Sequence, residues 1–316
     1  MSTATTVKRA ESDEEPGRPR QRRWRRRRAR FSASSGLRIA IMAVFVLFFS
    51  LPMLWLLQAP TRENRDLVTG PVLSFGSIDT LHQTWSNLIG FDDGIVLVWF
   101  RNSLTYSALS VAIALVVSIP AGYALAVFSF PGRKIMLTLT LVVMITPAAA
   151  LVLPIFLTLN EVHLVGSMWS VVLPYSFFPF GVYLTFIHYS TSLPRNLLDA
   201  AQLDGCSPLQ VFWRIGLPLG KGAVALVAFF SFVTNWANFF LPFVMLPTDS
   251  SYTLPVGLTA LINSTPTLNP QAISNIPIGR PELALAGLIT ILPVAVVFLG
   301  SQRFLEKGLL SGATKE

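Results

Sequence analysis

An all-α, polytopic membrane protein is predicted by three features of this chain: its apolar balance, six separate runs of spanning length, and the lack of charge inside those runs. Of 316 residues, 52% are hydrophobic and only 13% charged, too apolar for an ordinary soluble domain. Runs near the length of about 20 residues that crosses a bilayer as a helix occur at 39–57, 103–128, 135–159, 167–189, 219–246 and 283–300. No Asp, Glu, Lys or Arg lies deeper than the first turn of any run. The fold class expected is six transmembrane helices with a polar helix-turn-helix between spans 4 and 5.

The first element, residues 1–36, is a basic tail. Twelve of the 24 Lys and Arg residues fall between Lys8 and Arg38, with Arg22, Arg23 and Arg25 to Arg28 around Trp24. A run of this kind can bind nucleic acid, but it abuts the first span, so attraction to anionic membrane lipid and orientation of that span are its expected effects. No nucleic acid is expected as a partner, and the tail has the composition of a disordered segment. Residues 37–58 form the first span, too long an apolar run for a signal peptide core. Residues 59–100 are then expected to be an external loop, 101–304 a core of five spans, and 305–316 a C-terminal tail. Within the core, 190–218 and 247–282 connect spans on opposite sides.

Positive charge orients the six spans. With both termini in the cytoplasm, 20 of the 24 Lys and Arg residues lie inside, Lys221 counted at the edge of the fifth span, and only Arg62, Arg65, Arg101 and Arg280 lie outside. That asymmetry is the positive-inside pattern. The segment 247–282 is rich in Pro, Ser, Thr and Asn and serves either as a platform for an external partner or as a loose connection. Eight prolines, Pro52, Pro120, Pro147, Pro154, Pro174, Pro179, Pro242 and Pro293, sit inside the runs, where each removes a backbone hydrogen bond.

Composition also excludes chemistry. The single Cys206 allows no intrachain disulfide or thiolate cluster, and His82, His163 and His188 are too scattered for a local ligand set. Neither a metal nor a cofactor is expected on this chain. The stretch Gly216 to Gly222 lacks the spacing and the Ser or Thr of a phosphate-binding loop, so any ATP hydrolysis belongs to another protein. An ion-coupled carrier would need intramembrane carboxylates, histidines or broken-helix ion sites, and the runs offer little for that chemistry; a membrane hydrolase would need a convergent nucleophile and base, which the runs do not show.

The segment 193–219, LPRNLLDAAQLDGCSPLQVFWRIGLPL, reads as two short helices joined by a sharp turn. Pro194 suits a first helical turn. Leu193, Leu197 and Ala201 recur four apart with Leu198 beside them, leaving Arg195, Asn196, Asp199 and Gln202 on other faces. Gly205 is placed as a C-cap, and Ser207-Pro208-Leu209-Gln210 as a capping box that starts the next helix at once. Ala200 and Ala201 allow close approach of another surface. From pattern alone, the pair either grips a partner or lies on the membrane surface.

Asp199, Ala200, Ala201, Asp204, Gly205, Ile215, Leu217 and Pro218 together resemble the EAA loop of permease subunits of binding-protein-dependent ABC importers, with Asp199 in place of the usual Glu. The similarity extends through Arg101-Asn102-Ser103-Leu104, Ala121-Gly122-Tyr123-Ala124-Leu125, Phe130-Pro131-Gly132-Arg133, Thr253-Leu254-Pro255-Val256-Gly257-Leu258 and the closing 302–315. These motifs resemble the carbohydrate-uptake branch, the maltose permease MalG-like family. The resemblance implies a cytoplasmic coupling loop that docks on a separate ATP-binding subunit, with Gly308, Gly312 and Lys315 of the tail reaching the same subunits. It further implies a heterodimer with a second permease, two ATP-binding subunits that hold ATP and Mg, an extracytoplasmic solute-binding protein, and a multi-pass location in the bacterial plasma membrane. The solute implied is an oligosaccharide, disaccharide or related polyol; glycerol-phosphate-type solutes are the alternative within the family. Trp236-Ala237-Asn238-Phe239 departs from the family's usual Trp-Asn followed by an acidic residue, and Trp236, Asn238 and Phe239 are candidates for the solute path. Aromatics such as Phe177, Phe178 and Tyr183 can stack on a sugar or simply pack.

Overall fold

A computed structural model describes residues 33–271 and 277–310, all helix, turn and loop with no strand among the described residues. The expected tail up to residue 32, and Gly312 and Lys315, lie outside them. The chain divides into two compact units, 1–50 and 51–316. In the first, the described residues belong to α1 (Ala33–Gln58), whose Met42, Phe45 and Phe48 are exposed, as a helix facing hydrocarbon would have them.

In the second unit follow α2 (Ile78–Gly90), α3 (Ile95–Val127), α4 (Arg133–Ile145), α5 (Ala148–Glu161), α6 (Trp169–Ser176), α7 (Pro179–Ser192), α8 (Arg195–Leu203), α9 (Pro208–Val211), α10 (Lys221–Trp236), α11 (Phe240–Met245), α12 (Leu254–Ser264) and α13 (Arg280–Leu310). Among the described residues four helices are long and apolar enough to span a membrane, or up to six if two sharply bent pairs each count as one.

The centre is α3, because small residues recur along one stripe of it. Ser103, Ser107, Ser110, Ala114, Ser118 and Gly122 are all buried, and small side chains let membrane helices approach closely where no hydrophobic force separates lipid from protein. Gly122 shows how close: a Cβ there would lie 2.5 Å from the Thr185 Cβ and 2.7 Å from the Val182 carbonyl of α7.

The N-terminal half of α3 holds the segment before α12. Trp99 Nε1 donates to the Asp249 carbonyl (2.8 Å), Asn102 Nδ2 to the carbonyls of Ser250 (2.8 Å) and Tyr252 (3.1 Å), and the Leu254 N–H to Ser103 Oγ (2.7 Å). Gly257 is pressed on the Trp99 ring, where a Cβ would fall 2.1 Å from it. Two distant sequence motifs, 101–104 and 253–258, are therefore two sides of one contact.

Several expectations change. The segment 59–100 is no plain loop: it contains α2, capped by Ser77 Oγ accepting from the Thr80 N–H, and α3 begins at Ile95 rather than Ser103. A left-handed break at Asp92, Asp93 and Gly94 separates the two helices, a conformation that Asp and Gly tolerate. The segment 247–282 likewise contains α12, and α13 continues past the expected start of the C-terminal tail, as far as Leu310.

The third run is not straight. It bends by 105° between α4 and α5, where Pro147 lacks the N–H a continuous helix needs. The fourth breaks at Phe177 and Phe178 ahead of Pro179, and the fifth at 237–239 before α11. Hydrophobicity alone cannot reveal these breaks, because an interrupted span stays as apolar as an intact one.

Candidate functional site

The turn between α8 and α9 is built as its residue types require. Gly205 has φ +79°, its N–H donates to the Gln202 carbonyl (3.0 Å), and the Cys206 N–H reaches back to the Ala201 carbonyl (3.0 Å). These two bonds form a Schellman motif, which closes a helix through a left-handed residue. Immediately after it, the Ser207 N–H donates to Gln210 Oε1 (2.8 Å) and the Gln210 N–H to Ser207 Oγ (3.4 Å). The expected capping box is present, so one helix ends and the next starts within three residues. Pro194 is the N-cap of α8 rather than its first helical residue.

The faces of the pair differ in part from the expected ones. Leu198 and Ala201 are buried with Val211, packed against Val127, Leu193, Cys206 and Ile215. Leu197 points outward instead. Ala201 thus packs α8 against α9, while Ile215 and Leu217 are half-buried in packing clusters. Asp199, Ala200, Asp204, Gly205 and Pro218 are exposed. The same segment also exposes apolar residues that sequence reasoning passed over: Leu203, 89% exposed, Leu209, and Trp213, 58% exposed. Their signal was available, since each falls off the apolar stripe of its own helix.

After α9 the chain makes one π-helical turn, Phe212–Gly216, then a short turn through Leu217 and Pro218 into α10. The axis bends by 74° there. Tyr123, Tyr189 and Phe212 pack as an aromatic knot, with ring centroids 5.2 Å apart for Tyr123–Tyr189 and 5.0 Å for Tyr123–Phe212. The helix pair is thus joined to α3, α7 and α10 at one place.

A second feature lies where the three broken runs meet. A cavity of about 420 Å³ is lined by residues of α4, α5, α6, α10 and α11 and of the breaks between them, including Thr146, Tyr175, Phe177, Phe178 and Thr234. No charged side chain lines it. Of the three path candidates, Trp236 is 2% exposed, stacked on Phe232, and donates through Nε1 to the Thr290 carbonyl (2.8 Å). It is a core residue, because its indole N–H is already satisfied by the backbone of α13. Asn238 instead stands at the break, its Oδ1 accepting from the Leu241 N–H (3.3 Å). Phe239 stacks on Phe243 at 5.2 Å. The cavity does not bring the three together as one site.

The family model described as binding-protein-dependent transport system inner membrane component matches residues 118–311. The arabinooligosaccharides transport system permease protein AraQ of Halalkalibacterium halodurans is 34% identical over 280 residues, covering 88% of this chain and 93% of that protein. AraQ of Bacillus subtilis is 32% identical, with 88% and 96% covered. The galactooligosaccharides transport system permease protein GanQ of Bacillus subtilis is 30% identical, with 89% and 94% covered. In fold, the chain is similar to one in the crystal structure of a bacterial ABC transporter involved in the import of the acidic polysaccharide alginate. The TM-score is 0.74 at 20% identity, covering 86% of this chain and 98% of that one. With a family model over more than half of its length and relatives at 30% identity or more along most of it, the chain belongs to the inner membrane component family of binding-protein-dependent transport systems.

Proposed function

We propose that this chain is one half of a permease heterodimer in an ATP-driven importer of a neutral sugar, an oligosaccharide, disaccharide or related polyol. As a family member it is a non-catalytic, multi-pass protein of the bacterial plasma membrane that works with other subunits of an ABC transporter. Relatives that carry arabino- and galacto-oligosaccharides by name support the sugar reading, and the uncharged cavity favours it over phosphate-bearing solutes. In this reading a second permease, two ATP-binding subunits and an extracytoplasmic solute-binding protein complete the importer. ATP and Mg stay on the partners, and both termini lie in the cytoplasm.

One observation carries the coupling role: the segment from α8 to the π-helical turn leaves Leu203, Leu209 and Trp213 exposed together with Asp199 and Asp204. Exposed apolar groups flanked by carboxylates fit a protein cleft better than water. Asp199, Ala200, Asp204 and Gly205 would contact the ATP-binding subunit directly, and Ala201, Ile215, Leu217 and Pro218 would hold the pair in shape. Gly308 lies in the last turn of α13 and, with Gly312 and Lys315, would reach the same subunits. Closure of those subunits would then swing α7 and α10 as levers and switch the cavity between the two sides.

The test is a cross-link. In the complex purified with its partners, Leu203→Cys in a Cys206→Ser background should cross-link to the ATP-binding subunit, and Leu268→Cys should not. Absence of an ATP-binding chain from the purified complex, or uptake into proteoliposomes driven by an ion gradient without ATP, would overturn the proposal.

A further inference from the structure

We infer that Tyr189 is a positioning residue, its hydroxyl keying the helix pair to the membrane-spanning levers so that movement of one obliges movement of the other. The inference rests on the coupling role proposed above and goes beyond it by naming the joint. Tyr189 sits one turn before the end of α7 and is buried. Its hydroxyl donates to the Gly216 carbonyl at 3.1 Å, and the same oxygen accepts from the Gly220 N–H at 2.8 Å.

Gly216 closes the π turn, in which the Leu217 N–H reaches back five residues to the Phe212 carbonyl. Such single π turns interrupt the regular ladder and are frequent at functional sites. Here the interruption lies between the proposed docking surface and α10. A side-chain hydroxyl from another helix ties the two parts at that point.

Glycine makes room for this bond. A Cβ at Gly220 would lie 2.0 Å from the Tyr189 hydroxyl and one at Gly216 would lie 2.8 Å from the Tyr123 ring. Tyr123 packs edge-on against the Tyr189 ring, and Phe212 packs in turn on Tyr123. Apart from this bond, what joins the pair to the spans is apolar packing of Leu198, Ala201 and Val211 on Val127 and Leu193. Apolar packing is non-directional and lets surfaces slide; a hydroxyl-to-carbonyl bond fixes distance and angle.

The experiment measures solute imported per ATP hydrolysed, using the whole transporter in proteoliposomes with its solute-binding protein. Tyr189→Phe keeps the ring and removes the hydroxyl. The complex should assemble in normal yield with an unchanged KM for ATP, while the transport-to-hydrolysis ratio falls about two- to tenfold, the range one hydrogen bond spans. Gly220→Ala should lower the same ratio, and adding Tyr189→Phe to it should cost little more, because both changes break one bond.

A wild-type ratio in Tyr189→Phe overturns the inference. So does an equal fall in uptake and hydrolysis, which marks the residue as merely structural. If the wild-type chain carries no ATP-binding subunit through purification, the coupling proposal itself fails and takes this inference with it. If the subunit co-purifies and only the Tyr189→Phe ratio is unmoved, the coupling proposal stands alone.

Discussion

The two ends of the central helix α3 are held by different forces. At its N-terminal end, Trp99, Asn102 and Ser103 bind the backbone of 249–254 through four directional hydrogen bonds, with Gly257 wedged on the Trp99 ring. At its C-terminal end, Tyr123, Ala126 and Val127 meet the helix pair and the π turn through apolar contact, with the bond of Tyr189 on α7 to Gly216 beside them. Hydrogen bonds at fixed angles make a rigid joint, whereas packed apolar faces with one tether make a joint that can change register. The first fits a platform and the second a hinge.

Substitutions should separate the two ends. The largest effect is expected from Gly257→Ala: the new Cβ would lie 2.1 Å from a Trp99 ring whose indole N–H is bonded to Asp249, so the ring cannot swing aside. A loss of about 3 kcal/mol is expected, in line with overpacking of a filled core, seen as earlier thermal unfolding in detergent. If Gly257→Ala unfolded like the wild type, the N-terminal end would not be the rigid one.

Asn102→Ala removes two bonds to backbone carbonyls and should cost about 2 kcal/mol. Hydrogen exchange should rise in 249–254 and stay unchanged in 195–211. Exchange rising equally at both ends would erase the distinction between them.

Gly205→Ala has open space for its Cβ but must hold φ at +79°, a strain of about 1 kcal/mol. Exchange in 195–211 should rise with little change in overall melting, and transport should suffer more than stability. The smallest effect is expected from Ser207→Ala, which removes the cap and should cost about 0.5 to 1 kcal/mol. It would be read as fraying of α9 by exchange, with α8 unaffected.

The turn of the helix pair was legible in sequence because its signals are local. A left-handed Gly205, the Ser207 and Gln210 capping box, and the adjacent Pro208 each act within three or four residues. Which face of α8 turns inward was not legible, since Leu197 and Leu198 serve the apolar stripe equally well in sequence. Contact with Val127 and Val211 decides for Leu198. The setting of Trp236 was not legible for a related reason: in a uniformly apolar span, a buried aromatic and an exposed one look alike, and the bond to the Thr290 carbonyl on α13 depends on a distant helix.

The sequence by itself determined that the chain is helical and membrane-embedded, where its polar turns fall, and which segment has the form of a coupling loop. Those properties follow from composition, charge and hydrogen bonds between near neighbours. Tertiary structure decided where the spans break, which motif residues face inward, and that Tyr189 meets Gly216 and Gly220. These depend on contacts between residues far apart in the chain, and in a membrane the lipid is as apolar as the core, so hydrophobicity carries no record of them.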